Sequence, residues 1–423
     1  MKDFIIKGNI LYSIDPKTVK SCTDSYLVCL DGVSAGVFKE LPEKYRDLPV
    51  VDFGDKLVFP GMSDLHMHAP QFSFRGLGMD LELLEWLSTY TFPEEAKYQE
   101  LDYAERAYHS FAEHLKHSAT TRASIFATVH VPATELLMDE LERVGVKTYV
   151  GKVNMDRNTP DYLAEKCAAQ SLADTEQWLC ETKDKYEHTK PILTPRFTPT
   201  CSDELMRGLQ VLAEKYDVPV QSHLSENFAE IELVKKLCPW AKNYGDAYDR
   251  FGLFGGRTKC IMAHCIYSDE AEIARMKENG VFIAHSPESN MNVIAGIAPA
   301  KRYLEEGLNI GLATDVAGGS HESMLHAIMH AVQASKLRWR LVDSTYSPLS
   351  LQEAFYLATV GGGRFFGKVG SFEEGYDLDA VVLEDSSLDH PQELTVLQRL
   401  ERAVYLSDDR HIFAKFVRGK RVL

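Results

Sequence analysis

From residue 58 to residue 319 the chain alternates short apolar runs with longer stretches whose apolar residues recur at helical spacing. The runs are VFPGMSDLHMH (58–68), SATTRASIFAT (118–128), VKTYVGKVNM (146–155), KPILTPRFTP (190–199), VPVQSHLSE (218–226), TKCIMAHCI (258–266), VFIAHSPESN (281–290) and LNIGLATDVAGG (308–319). Between them, stretches such as DELMRGLQVLAEKYD (203–217) and DEAEIARMKENG (269–280) read as amphipathic helices that stop at a glycine or a turn. Eight strands, each followed by room for a helix, predict an α/β chain folded as a TIM (β/α)8 barrel.

The two ends have a different texture. DFIIKGNILYSID, SYLVCLDGVSAGVF and LVFP near the start, and DLDAVVLED, RAVYLS and IFAKFVRGKRVL near the end, all read as strands. The expectation is that residues 1–58 and 370–423 pair as a small β-sandwich domain beside a barrel spanning 59–369. There is no internal repeat and no low-complexity segment.

Composition narrows the functional classes. The 423 residues are 45% hydrophobic and 26% charged, with a formal net charge of −16. So acidic a chain does not suit a polymeric nucleic-acid partner, which calls for a basic surface. No apolar stretch approaches the roughly 20 residues needed to cross a bilayer, and MKDFIIKGNILY carries an acid where a secretory signal would be apolar. Eight cysteines without C-x-x-C pairing read as reduced thiols, so a cytoplasmic protein is expected.

The candidate chemistry sits where the strands stop. His66 and His68 are two residues apart on a strand and therefore share a face. Arg196 ends the fourth run, His223 and Glu226 the fifth, His264 the sixth, His285 the seventh and Asp315 the eighth. Each alone has a bland explanation: a histidine hydrogen-bonded locally, Asp315 capping a loop, Glu226 a solvated first-turn carboxylate. All of them fall on the one rim where such barrels build active sites, so a shared site is the better account.

His66, His68, His223 and Asp315 form an N/O donor set suited to one Zn²⁺ per chain, with iron or manganese as alternatives. A metal there brings the pKa of bound water down towards ~7. Glu226, three residues past His223, is placed to protonate a ring nitrogen, and His264 with Asp315 to move a proton from water to the leaving group. That sum is metal-assisted hydrolysis of an amine or amide on an unsaturated ring.

The motifs PGMSDLHMHA, SHLSEN, MAHCIYSDEA, HSPESN and GLATDVAGG, in this order, resemble the amidohydrolase superfamily from about residue 55 to about residue 375. HAPQFSFRGLGMDLELLEWLSTYTFPEEAKY (68–98), VGKVNMDRN (150–158) and TPRFTPTCSDELM (194–206) are similar to its guanine deaminase family. The resemblance implies hydrolysis of guanine to xanthine and ammonia and a homodimer. In it His66, His68, His223 and Asp315 hold the metal, Glu226 protonates N3, and His264 orients the attacking hydroxide. Gln71, Arg196 and Phe197, with His223 and Glu226, contact the purine, and Trp86 and Tyr90 shield the pocket. Arg196, a donor only, suits a 6-oxo group and not a 6-amino group.

Three other readings were weighed. One is a related enzyme acting on another oxo-purine, a pterin or a triazine. A second is a relative that has lost catalysis, which the retained ligand set and Glu226 argue against. The third is a carboxylated Lys152 bridging two metals, which is disfavoured because Lys152 falls on the third strand rather than the fourth. The unrelated zinc deaminase fold is excluded, because the chain lacks a P-C-x-x-C.

Overall fold

The computed structural model describes residues 2–423. The chain ends do pair with each other. Lys420–Arg421, Ile412–Val417, Ala380–Leu383, Val50–Pro60, Asp3–Asp15, Thr18–Leu30 and Val33–Phe38 are hydrogen-bonded neighbours in that order. Hydrogen bonding thus traces one continuous seven-stranded sheet, and Phe4 stacks on Phe416 from a strand three ladders away, with ring centroids 5.6 Å apart. Phe4, Ile6, Ile10, Leu27, Val58, Phe372, Val382 and Phe416 pack on it as a separate apolar cluster.

RAVYLS is not a strand. It is the end of the helix Val396–Leu406, whose start is held by a Thr395–Gln398 capping box and whose Val396, Leu400, Ala403 and Val404 are buried at helical spacing. The short window RAVYLS hides that period, which shows only when Val396 and Leu400 are included.

The eight internal runs do carry parallel strands, arranged as two four-stranded sheets. One contains Met62–His68, Thr120–Phe126, Lys147–Gly151 and Thr189–Pro191. The other contains Val220–Leu224, Cys260–His264, Phe282–His285 and Asn309–Leu312. They do not form one closed ladder. The third and fourth runs are broken, resuming as the pair Val153–Asn154 and Thr194–Pro195. Pro191, Pro195 and Pro199 have no N–H to give to a ladder.

At one seam Leu193 N–H donates to Pro219 O and Gln221 N–H to Leu193 O, both at 2.9 Å. At the other, Asp315 N–H donates to His66 O and His68 N–H to Val316 O, again at 2.9 Å. One apolar cluster includes Leu65 and Ile192 from the first half and Ile261, Ala263 and Ala284 from the second, so the halves face each other.

Arg122 ties the first half to the terminal sheet. Its Nε and Nη2 donate to the two Asp379 oxygens at 2.5 and 3.0 Å, and Nη2 also reaches Asp377 at 3.0 Å. Removing one partner of a buried, bidentate pair leaves the other charge uncompensated, so Arg122→Leu is expected to lower unfolding stability by about 3–5 kcal/mol. Urea denaturation checks this, and a loss below about 1 kcal/mol would show the pair to be dispensable.

None of the eight cysteines is disulfide-bonded. Among the described residues no helix is long and apolar enough to cross a membrane.

Candidate active site

The strand Met62–His68 ends with both imidazoles turned to one point, as the two-residue spacing requires. His66 Nε2 lies 3.1 Å and His68 Nε2 3.4 Å from Asp315 Oδ1, and His68 Nε2 lies 3.3 Å from His223 Nε2. Asp315 reaches them from the turn after Asn309–Leu312 with φ +51°. Ser225 (φ +47°) and His264 (φ +71°) share that uncommon left-handed backbone at the ends of neighbouring strands. Sharp turns at the strand ends are what bring these side chains inward.

The donor set fits a metal. His66 Nε2 is buried and makes no hydrogen bond despite its short approach to Asp315. Both atoms therefore point at a shared position and not at each other. Separations of 3.1–3.4 Å match the edge of a tetrahedron with bonds of about 2.0–2.1 Å. His223 Nδ1 lies 2.6 Å from Arg196 O, which places its proton there and leaves Nε2 free to ligate. Two overlapping clusters share this position, His66–His68–Asp315 and His66–His223–His264.

Burial drives the imidazoles neutral, lowering His68 to about 3, His264 to about 4 and His223 well below its ordinary value. Burial also pushes the Asp315 carboxyl up, but the imidazoles of His66, His68 and His264 outweigh it and hold it well below the usual carboxylate range.

Glu226 has the opposite character. It is 4% exposed, and burial, then the Glu230 and Asp315 carboxyls, push its own carboxyl well above the usual range, against the pull of Arg196. Its surroundings therefore favour the protonated form over the carboxylate. His264 Nε2 lies 3.5 Å from Glu226 Oε2 and 3.6 Å from Asp315 Oδ2. On its far side His264 Nδ1 meets Asn290 Oδ1 at 2.8 Å, which leaves Nε2 as the acceptor facing the site. His285 is buried beside His264, belongs to neither cluster and does not line the cavity.

A pocket opens over this cluster. His68, His223, Glu226, His264 and Asp315 form one wall, and Gln71, Arg196 and Phe197 another. Leu83, Trp86 and Leu87 close it from the segment 83–91. Gly318 also lines it, and a Cβ there would lie 2.3 Å from Ser289 Oγ. Tyr90 does not line the cavity: it stacks on Phe74, with ring centroids 6.2 Å apart, and abuts Gly78. Lys152 is buried in an ion pair with Glu165, away from the cavity.

The structure brings together His66, His68, Gln71, Trp86, Arg196, Phe197, His223, Glu226, His264 and Asp315, whereas Tyr90 and His285 stand outside the cavity. Two contributors went unnoticed in the sequence. Asn290 stands inside a motif already singled out, HSPESN. Glu95 lies in TFPEEAKY with no local mark of function.

The model of the Amidohydrolase family matches residues 57–422. The chain is 34% identical to guanine deaminase of Dictyostelium discoideum over 446 residues, covering 99% of this chain and 98% of the other. It is 39% identical to guanine deaminase of Homo sapiens over 400 residues, covering 90% and 85% respectively. Among solved structures it is similar to guanine deaminase from C. acetobutylicum with bound guanine in the active site. That match has a TM-score of 0.96 and 48% identity, and covers 100% of both chains.

Proposed function

The chain belongs to the amidohydrolase family, and on that premise we propose that it hydrolyses guanine to xanthine and ammonia. The observation that carries the reading is one pocket at which three kinds of group meet: His68, His223 and Asp315 of a buried His₃Asp donor set, the Glu226 carboxyl whose protonated form burial favours, and the Arg196 guanidinium.

One Zn²⁺ held by His66, His68, His223 and Asp315 supplies, when bound, the acidity that turns water into a nucleophile near neutral pH, and iron suits the same donors. Arg196 donates to the 6-oxo oxygen, Gln71 contacts the same edge and Phe197 packs on the ring. Glu226 gives its proton to ring N3, which draws electrons away from C2 and opens it to attack. His264 Nε2 and Asp315 Oδ2, 3.6 Å apart, take the proton of the attacking water and return it to the departing 2-amino group. The C2–O bond forms, the C2–N bond breaks and ammonia leaves, while the remaining O–H proton returns to Glu226 and leaves the C2=O and N3–H of xanthine. Leu83, Trp86 and Leu87 keep bulk water out of the reaction.

The two four-stranded sheets are read as halves of a (β/α)8 barrel spanning 59–369, with 1–58 and 370–423 as the flanking domain; their parallel strands and facing apolar cluster support this. The unpaired cysteines support a cytoplasmic setting. Exposed Leu337, Leu341 and Val342 support a homodimer.

The test is ammonia and xanthine release from guanine, with adenine, 8-oxoguanine, a pterin and a triazine as competitors. Guanine should be preferred, with about one metal ion per chain and activity lost on chelation and restored by Zn²⁺. Turnover of a competitor without turnover of guanine would replace the reading with that substrate class.

A further inference from the structure

Resting on the guanine reading above, we infer that Glu95 is the positioning residue that sets which purine edge the pocket accepts. Glu95 is 1% exposed and does not line the cavity, so it acts through its neighbours. Its Oε1 accepts from Gln71 Nε2 at 2.9 Å and its Oε2 from Arg196 Nη1 at 2.6 Å. One carboxylate therefore grips both polar residues of the substrate wall. One helical turn earlier, Phe92 lies under the Arg196 guanidinium, 5.3 Å from ring centroid to Cζ. Both contacts come from the helix Phe92–Ala96, which continues directly from the segment that roofs the cavity.

The consequence is chemical. An ionised carboxylate only accepts hydrogen bonds, so it fixes the Gln71 amide with nitrogen towards Glu95; Oε1 accepts from Ala317 N–H at 3.4 Å and keeps a second lone pair as the acceptor for substrate. Arg196 donates only, and gives Glu95 one of its five N–H groups. The wall thus presents a donor beside an acceptor. That pattern matches a ring oxo group next to a ring N–H, as in guanine at O6 and N1. It mismatches an amino group next to a bare ring nitrogen. Without the carboxylate only the long contact from Ala317 N–H to Gln71 Oε1, 3.4 Å, holds the amide, and the buried guanidinium loses its counter-charge.

The test compares guanine with 2,6-diaminopurine, which keeps the 2-amino leaving group and reverses the pattern at the 6-position and N1. In Glu95→Gln, kcat/KM for guanine should fall by about a hundredfold, mostly through KM, while that for 2,6-diaminopurine falls less than about threefold. The preference for guanine then shrinks by about thirtyfold or more, with metal content unchanged. Equal losses on both substrates would reduce Glu95 to a structural role and overturn the inference.

If Glu95→Gln does not fold, Phe92→Leu removes the ring under the guanidinium without changing charge. It should raise KM for guanine about fivefold and spare 2,6-diaminopurine; failure of both variants to fold would assign this helix to the core and refute the inference. A parent enzyme inactive on guanine would instead overturn the proposed function.

Discussion

Asp315→Asn is expected to purify with little bound metal and to lose guanine turnover by about 10⁴-fold or more. Asp315 is the single carboxylate among the four donors, and its Oδ1 lies within 3.4 Å of both His66 and His68. Asparagine keeps the shape and removes the one negative charge among the four donors, which partly neutralises a divalent ion. Oδ2 faces His264 at 3.6 Å, so the same change also removes a proton carrier. Two functions fail together, and refilling the site with excess Zn²⁺ should restore only part of the rate. Elemental analysis beside a xanthine assay decides it: a variant that keeps both metal and turnover would sink the ligand assignment.

Glu226→Gln should leave metal content intact and reduce kcat by about 10³-fold, within the range for loss of a general acid. The two variants thus separate binding of the ion from delivery of the proton. Their pH profiles separate them further. Glu226 works as a donor only while protonated, and burial with the Glu230 and Asp315 carboxyls raises its pKa. The wild-type rate should therefore hold through neutral pH and fall as pH rises through that elevated value; Glu226→Gln should lack this alkaline limb. On the acid side, His264 must be neutral to accept a proton, and burial lowers it to about 4. The rate should fall only as pH drops through that region, in both enzymes. An alkaline limb that survives in Glu226→Gln would assign the proton to another group.

The site was legible in the sequence to the extent that its chemistry sits at the ends of apolar runs. His66 and His68 were paired by the strand period alone, and Arg196, His223, His264 and Asp315 stood where runs of apolar residues stopped. The flanking segments were less legible. In RAVYLS only Val404 and Tyr405 favour a strand, and the Thr395–Gln398 cap and the buried spacing from Val396 onward reveal a helix. Tyr90 and Trp86 look alike in the sequence as aromatic residues of one segment. Packing against Phe74 and Gly78 turns Tyr90 aside and leaves Trp86 at the cavity.

By itself, then, the sequence determined the alternation of strand and helix and the place of each candidate donor along the chain, because periodicity and strand ends are local properties. Only the tertiary structure decided how two four-stranded sheets meet, that burial and neighbouring carboxyls push the Glu226 carboxyl upward, and that Glu95 holds Arg196 across a separation of 101 residues. Such contacts and shifts depend on which groups are buried together, and burial is set by the packing of distant segments, which leaves no periodic trace in the chain.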